Sequence, residues 1–278
     1  MVLAKTYFER EGLILAEEGN VVRGFVHAAL GPTADGSKLD PAAACISMLC
    51  VSPGEQQGAI AAALIEKAEA YLRSRGATRV AAGEIGKNSP HYLGIYGGSA
   101  GCGILTADAA HVTAFQAAGY VEQDRIAVLQ RELASFRPPV SGQILKIRRT
   151  APVDIDYEAS PANWWDACTV GAGYAQRFSA GPYGAPRIVE AIIWEIDPLG
   201  PYWKTRAAGI WHLQVAPSYR RQAYATYLLG DALKALSAQG YTLVEAQARR
   251  SDTACLGLFK KLGFREMDEG LVFEKTLA

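Results

Sequence analysis

The spacing of apolar residues changes twice between residues 210 and 250. The run 210–215 has the apolar content of a buried strand and stops at Pro217, which cannot donate a backbone hydrogen bond to a sheet. "YTLVEAQA" (241–248) has the pattern of a second strand. Between them, apolar residues recur at helical spacing up to the natural helix terminator Gly240: Leu228, Leu229, Ala232, Leu233 and Leu236. This order predicts a β-α-β unit with parallel, adjacent strands.

The same pattern occurs earlier in the chain, displaced by 164 residues. The segment 46–80 aligns with 210–244, and its proline and glycine fall in register. Both copies also end alike, in "DAAHVTAFQAAGY" (108–120) and "DTACLGLFKKLGF" (252–264). The first copy carries about 20 more residues before this ending, and "NSPHYLGIYGGSAGCGILTA" (88–107), here named the insert, accounts for them. Repetition in one register predicts two related domains.

The domain boundary is predicted at "FRPPVSG" (136–142), where adjacent prolines interrupt the pattern. We expect domains at 1–137 and 142–278, each an α/β domain with a twisted mixed sheet and flanking helices. In the first, "LILAEEGNVVRGFVHAAL" predicts two strands around a turn, and the start of the domain is shortened. In the second, "QILKIRR" is expected to form the first strand and "PANWWDACTV" a helix.

The composition argues against several classes of protein. The 278 residues are 50% hydrophobic and 20% charged, with zero formal net charge, so neither nucleic acid nor an anionic membrane is favoured as a partner. No apolar run approaches the roughly 20 residues that cross a bilayer, and the charged N-terminus is unlike a signal peptide. The five cysteines lack CxxC spacing, so no disulfide framework and no metal site is predicted. We expect a soluble, cytoplasmic protein and leave its oligomeric state open.

Two motifs carry a resemblance to a known family. The loop after the first strand fits V-x-P-x-x-[RQ]-x-x-G-x-[GA] through Val215, Pro217, Arg220, Ala223 and Ala225, and again through Val51, Pro53, Gln56, Ala59 and Ala61. The ending resembles N-x-x-A-x-x-L-Y-x-K-x-G-F through Asp252, Cys255, Leu258, Phe259, Lys261, Gly263 and Phe264. With both motifs in order and twice, the chain resembles a tandem member of the GNAT superfamily of acyl-CoA-dependent N-acyltransferases.

The resemblance implies acetyl-CoA, or another acyl-CoA, as cofactor. Its pyrophosphate needs N–H donors and positive potential, which a helix N-terminus and paired arginines supply. The resemblance assigns this site in the second copy to Leu213, Gln214, Val215, Arg220, Arg221, Gln222, Ala223, Tyr224, Ala225, Asp252 and Phe259. A possible second site in the first copy consists of Val51, Gln56, Gln57, Gly58, Ala59, Ile60 and Ala61. It is expected to bind more weakly, because "GEQQ" lacks the arginines and adds the carboxylate of Glu55.

The chain departs from the family pattern at two positions in each copy. Ala59 and Ala223 stand where the family has the first glycine of the loop, and a methyl group there narrows the approach to the backbone. Phe115 and Phe259 replace the tyrosine that many members use as general acid toward the departing thiolate. A phenyl ring cannot donate that proton, so we expect another group or water to supply it, or a weakened chemistry.

Glu245 and His212 are the candidates for the base that takes the proton of an attacking amine. Alternation places Glu245 and Gln247 on one strand face, either as a base or amine-binding group or as a carboxylate at a solvated edge. His212 is either the base or a structural histidine, because alternation turns it away from Leu213 and Val215.

The remaining pieces leave alternatives open. The insert is expected to be a long loop that acts as a lid or an interface. Trp164, Trp165 and Tyr202 belong either to the core or to an acceptor pocket.

The expected function is acetyl-CoA-dependent N-acetyl transfer to an unidentified small amine, by direct attack in the second copy. The alternatives are a non-catalytic acyl-CoA-binding or interaction protein, and a degenerate first copy that scaffolds an active second copy.

Overall fold

The computed structural model describes residues 2–54, 56–95, 98–170, 175–196 and 204–277. Its elements in the first copy are β1 (Leu13–Glu18), β2 (Val21–Pro32), β3 (Leu39–Val51), α1 (Gln57–Ser74), β4 (Arg79–Ala82), β5 (Ile85–Gly86), β6 (Gly101–Cys102), β7 (Ile104–Leu105), α2 (Ala109–Ala117) and β8 (Val121–Glu132). The hairpin of β1 and β2, with its turn at residues 19 and 20, confirms the two strands predicted there. Within the described ranges, no helix combines the length and apolarity that crossing a bilayer requires.

The second copy repeats this order after an additional start. Its elements are α3 (Gly142–Thr150), β9 (Val153–Asp156), α4 (Trp164–Thr169), β10 (Ala175–Ala180), β11 (Val189–Glu195), β12 (Ala207–Val215), α5 (Tyr224–Ala238), β13 (Leu243–Arg249), α6 (Thr253–Lys261) and β14 (Arg265–Thr276). The helix predicted within "PANWWDACTV" is confirmed as α4. In the described part of the first copy, α3, β9 and α4 have no counterparts, as the shortened start predicted.

The segment "QILKIRR" is a helix, so the strand predicted there is wrong. The Ser141 side chain accepts a hydrogen bond from the N–H of Ile144 at 3.2 Å and caps the N-terminus of α3. Ile144 and Ile147 are buried three residues apart, which is the spacing of one helix face. The cap and this spacing outweigh the apolar content that suggested a strand.

Apart from β5 and β6, which pair with each other, the described strands form one continuous mixed sheet in which the two copies exchange their last strands. The order is β1-β2-β3-β4-β14-β8-β13-β12-β11-β10-β9. The second copy's last strand, β14, pairs with β4 of the first copy, and Phe273 lies opposite Ala82. The first copy's last strand, β8, pairs with β13 of the second copy, and Leu129 lies opposite Ala246. Each copy's part of the sheet is therefore completed by the other, and strand pairing crosses the predicted boundary in the sequence.

Helices and the insert cover different parts of this sheet. In the second copy α3, α5 and α6 pack on the sheet in an apolar core that includes Leu229 and Val244. In the first copy α1 and α2 pack in a separate core that includes Leu72 and Phe273. A third cluster joins the insert to the second copy: Leu93, Ala100, Trp194 and Trp211. Successive side chains of a strand point to opposite faces of the sheet, so neighbouring residues can pack against different clusters.

The insert is more ordered than the long loop predicted from its sequence. It contains β6 and β7, and β7 pairs with β14 at Ile104 and Leu271. Cys102 packs against Val128 and Val272 of the two central strands. Apolar residues between the glycines therefore attach the insert to the sheet, and the glycine-rich composition that suggested a loop serves the turns between these contacts.

Candidate functional site

A gap between β12 and β13 is the central feature of the second copy. The two strands run parallel and pair where residues 207–209 meet residues 243–245. Beyond Gly209, β12 follows β11 as far as Val215, whereas β13 follows β8 as far as Arg249. The strands therefore diverge, and the end of β12 borders the gap.

A bulge in β12 lies just beyond the last parallel pair. The register between β11 and β12 shifts at Trp211, which is the extra residue. A bulge changes the direction of the side chains beside it, so simple alternation no longer determines where His212 points. The first copy has the equivalent bulge in β3 at Ser47, displaced by the same 164 residues.

The loop between β12 and α5 has two residues other than glycine in the left-handed region. Arg221 has φ 62°, and Ala223, the N-cap of α5, has φ 70°. Such a backbone costs an L-residue about 1 to 2 kcal/mol. The side chain of Arg220 supports the loop, because its Nε donates to the carbonyl of Val215 at 3.2 Å. The loop leads directly into the helix N-terminus, whose first amides have no partner within the helix.

The predicted cofactor residues occupy three neighbouring parts of the second copy. The end of β12 along the gap consists of Leu213, Gln214 and Val215. The exposed part of the loop contains Arg220, Arg221 and Gln222. The half-buried start of α5 contains Tyr224 and Ala225, next to Ala223. The amides and arginines together form a site suited to an anion at the helix N-terminus.

The other two predicted cofactor residues, Asp252 at the N-cap of α6 and Phe259 within α6, have structural contacts. The Asp252 carboxylate caps α6 by accepting a hydrogen bond from the N–H of Cys255 at 2.9 Å. Phe259 is 2% exposed, and its ring centroid lies 5.0 Å from that of Phe264. Phe259 therefore contributes to the core that supports α5 and α6.

A small pocket adjoins the bulge beside the insert. It has a volume of about 20 Å³, and its lining includes Trp211, Ile192 and Asp166. Trp165 is buried elsewhere, where it stacks on Tyr7 with 4.8 Å between ring centroids. Trp164 is partly exposed, and Tyr202 lies outside the described residues. The lining of the described pocket is thus apolar apart from the Asp166 carboxylate, the Ser160 hydroxyl and the polar backbone.

His212 is half-buried next to the bulge. Its Nε2 lies 3.3 Å from Oε1 of Gln214. Burial, followed by the positive charge of Lys87, lowers the pKa of His212 below its usual value, while Asp166 acts weakly in the opposite direction. The imidazole is therefore neutral at pH 7 and can accept a proton.

Glu245 lies at the closed end of the gap and is only 2% exposed, so the solvated edge considered for it is wrong. Its Oε1 accepts a hydrogen bond from the N–H of Ser99 at 2.7 Å, and its Oε2 accepts one from Nε2 of Gln130 at 3.0 Å. Burial raises the pKa of Glu245, while these donors oppose the shift. Both oxygens are thus engaged with residues of the first copy.

The first copy has a groove but a different loop. Its helix α1 begins at Gln57, which is three residues before the position equivalent to the start of α5. Most residues of the predicted second site therefore belong to this helix or its N-cap: Gln56 as N-cap, then Gln57, Gly58, Ala59, Ile60 and Ala61. A groove of about 320 Å³ runs between α1 and α2, with Val51 and Ala114 in its wall. Its described lining contains no arginine, and Glu55 lies outside the described residues.

Comparison with known families decides the identity of the fold. The model of a family described as the acetyltransferase (GNAT) family matches residues 3–96 and 171–264. The protein belongs to the GNAT family. The two matches correspond to the two copies, so the tandem arrangement predicted from the motifs is confirmed. No curated protein matches the chain.

Solved structures share this fold over most of the chain at low sequence identity. A tandem GNAT protein from the clavulanic acid biosynthesis pathway has 14% identity and a TM-score of 0.64, covering 97% of this chain and 85% of that one. The glucosamine N-acetyltransferase region of a fungal multi-domain β-N-acetylglucosaminidase has 15% identity and a TM-score of 0.67, covering 94% of this chain but 32% of that one. A GCN5-related N-acetyltransferase from Sphaerobacter thermophilus has 12% identity and a TM-score of 0.60, covering 95% and 79%. These identities support the fold alone.

The first GNAT copy also contains a buried polar cluster that sequence reasoning missed. The Glu84 carboxylate accepts hydrogen bonds from the N–H groups of His91 and Tyr92 at 2.7 and 3.0 Å, and burial raises its pKa to about 8. The rings of His27 and His91 stack at 4.3 Å, and burial lowers their pKa values to about 4 and 3. Ser47, at the bulge, also contacts Glu84. These residues are scattered along the sequence, so no spacing pattern indicates that they meet.

Proposed function

We propose that this GNAT protein transfers the acetyl group of acetyl-CoA to the amine of a small molecule, and that the second copy carries the reaction. The loop before α5 supports this most strongly. It presents exposed Arg220 and Arg221 beside a helix N-terminus at the open end of the gap. Amide donors, helix dipole and guanidinium forks all favour a pyrophosphate there. At the equivalent positions the first copy has Gln56 and Gln57.

The residues that border the gap fit an acyl-CoA. We assign the pyrophosphate to residues 220–225 and the pantetheine arm to the end of β12, at residues 213–215. The diverging strands leave this edge of β12 beside the gap, where backbone groups can pair with the amides of an extended ligand. Bound acetyl-CoA supplies an acyl thioester, which an amine can attack.

His212 is our proposed base for the proton that the attacking amine loses. Its depressed pKa keeps the imidazole neutral at pH 7, the form that accepts a proton. Glu245 is less suited, because both of its oxygens already accept hydrogen bonds and its side chain is buried. Since Phe259 cannot donate a proton, we assign protonation of the thiolate to water.

The first copy serves as a scaffold in this proposal. Its strand β8 completes the sheet of the second copy, and its insert reaches Glu245. In the first copy, the buried side chains of Glu84 and His91 lie near the bulge at Ser47. We keep the division into domains 1–137 and 142–278 as a proposal about the sequence repeat.

A non-catalytic acyl-CoA-binding protein is the second candidate. The replacement of the family tyrosine by Phe115 and Phe259 favours it, because neither copy retains that acid. Both candidates predict binding of acetyl-CoA. They differ in whether an amine causes release of the thiol.

A thiol-release assay with acetyl-CoA and a panel of small amines tests the proposal. We expect release with at least one amine, and a loss of about 100-fold or more in kcat for His212→Gln. His111→Gln, which changes a histidine in the first copy, serves as the matched control and should retain activity. Tight binding of acetyl-CoA in calorimetry without release by any amine would favour the binding protein, and absence of binding would contradict both candidates.

A further inference from the structure

The insert of the first copy rests on the second copy where β12 and β13 begin to diverge. A β-carbon built on Gly209 of β12 would lie 2.7 Å from Cβ of Ser99, closer than such atoms approach. From the other side, Gly98 has φ 66°, and a β-carbon there would overlap the carboxylate of Glu245. The two glycines therefore permit a contact that larger residues would force apart.

Three hydrogen bonds hold the insert segment 98–100 in this position. The N–H of Ser99 donates to Oε1 of Glu245 at 2.7 Å. Nε1 of Trp194 donates to the Ser99 carbonyl at 2.9 Å, and Nε2 of Gln247 donates to the Ala100 carbonyl at 2.7 Å. Among these partners Glu245 is the one that can carry charge, and a hydrogen bond to a charged group is the stronger kind.

Packed side chains connect the held segment to the pocket at the bulge. Ala100 and Leu93 of the insert pack with Trp194 and Trp211 in one apolar cluster. Trp211 also lines the pocket. Packed side chains transmit displacements to their neighbours, so loosening the segment changes the wall of the pocket.

The first copy provides a contrast at the equivalent positions. There Cys45 and Ala81 replace Gly209 and Glu245, and they line a cavity of about 330 Å³. Ala81 cannot accept a hydrogen bond from a covering segment through its side chain. The hydrogen bond that Glu245 accepts from segment 98–100 therefore has no side-chain counterpart at Ala81.

We propose that Glu245 is a positioning residue that holds insert segment 98–100 against β12, so that the insert supports Trp211 in the wall of the acceptor pocket and excludes water from the acyl group. The role of the pocket rests on the function proposed above. In this arrangement the first copy contributes part of the second copy's site through its insert.

Amide hydrogen exchange and kinetics of Glu245→Ala, in the full chain, test the inference. We expect exchange of the Ser99 amide to accelerate at least tenfold. With the amine that gives the fastest thiol release, its KM should rise at least tenfold, release without amine should rise at least threefold, and the Kd for acetyl-CoA should stay within twofold. Glu245→Gln keeps a carbonyl oxygen for the Ser99 N–H and should restore most of these values.

Glu69→Gln is the matched control, because Glu69 is a buried carboxylate of the first copy that pairs with Lys275. It should change neither Ser99 exchange nor amine KM. Unchanged Ser99 exchange in Glu245→Ala, together with a loss of kcat and of its acid limb at constant KM, would make Glu245 a base and overturn the inference.

Gly98→Ala provides an independent route if Glu245→Ala fails to fold. Its added methyl group pushes against the Glu245 carboxylate from the insert side, and the same changes in exchange and KM are expected. Wild-type protein that releases no thiol with any amine would contradict the proposed function, while Ser99 exchange in the variants would still decide whether Glu245 holds the insert.

Discussion

Nζ of Lys275 in β14 donates hydrogen bonds to both carboxylate oxygens of Glu69 in α1, at 2.8 and 2.9 Å. The two residues are 206 positions apart, at the end of the second copy and inside the first. Phe273 of the same strand is 1% exposed in the first copy's core. Because each copy's part of the sheet includes a strand of the other, we expect the chain to unfold as one cooperative unit.

Leu72→Ala tests this cooperativity. Leu72 is fully buried in α1, and its truncation should cost about 3 kcal/mol of unfolding free energy. All five tryptophans lie in the second copy, so the urea midpoint of tryptophan fluorescence should fall although the change is in the first. Leu145→Ala, at a 47% exposed site, should change the free energy by less than about 0.5 kcal/mol. If Leu72→Ala left the urea midpoint of tryptophan fluorescence unchanged, the result would contradict unfolding as one cooperative unit.

Ala223→Gly and Ala59→Gly should have opposite effects on stability. Ala223 has φ 70°, so glycine removes backbone strain and should raise the free energy of unfolding by up to about 1 kcal/mol. Ala59 occupies the equivalent sequence position but lies in helix α1, where glycine should cost about 0.5 to 1 kcal/mol. Urea titration measures both. Equal changes in the free energy of unfolding would mean that the backbones at Ala223 and Ala59 do not differ as described.

The buried cluster of the first copy should give a stability maximum near pH 6.5. Burial raises the pKa of Glu84 to about 8, so folded protein retains a proton that the unfolded chain loses, and stability falls as pH rises toward 8. The slope is at most about 1.4 kcal/mol per pH unit. His27 and His91, with pKa values of about 4 and 3, remain neutral while the unfolded chain takes up protons, so stability also falls below pH 6.5.

Glu84→Gln isolates the alkaline limb, because glutamine cannot lose the proton but can still accept from the His91 N–H. Urea titrations at pH 6, 7 and 8 should show a flatter dependence than in wild type. The same alkaline decline in both proteins would mean that another group titrates there.

The pH dependence of kcat/KM, which reports groups of the free enzyme, tests His212 as the base. Its lowered pKa predicts a limb below pH 6.5, with activity falling as the imidazole becomes protonated and a plateau at higher pH. His212→Gln should lower the plateau and remove the limb. Retention of the limb in this variant would assign the base to a different group.

Local patterning predicted the loop and the helix that follow β12 in the second copy. The helix after Pro217 and its end before Gly240 follow from apolar spacing within one segment. The motif likewise located Arg220 and Arg221 beside a helix start, and the repeat located the equivalent loop of the first copy. Segment 143–149 was predicted wrongly because the Ser141 cap acts together with the spacing of two isoleucines.

Long-range pairing was not predictable from local pattern. The endings before β8 and β14 are similar in sequence, so nothing in either segment indicates which copy the strand joins. The contact between Ser99 and Glu245 joins residues 146 positions apart, and its consequence, burial of the carboxylate, depends on that contact. The sequence therefore identified Glu245 as a candidate but did not determine its role.

Calorimetric titration with acetyl-CoA tests most directly whether the second copy holds the acyl-CoA. Arg221→Glu removes a donor and adds a repelling charge at the loop, whereas Gln57→Glu adds the same charge at the equivalent position of the first copy. We predict that Arg221→Glu weakens binding about 10- to 100-fold, as expected for loss of about 1.5 to 3 kcal/mol from a charged hydrogen bond. Gln57→Glu should bind like wild type. Weakened binding in Gln57→Glu with wild-type affinity in Arg221→Glu would place the acyl-CoA in the first copy and contradict the account.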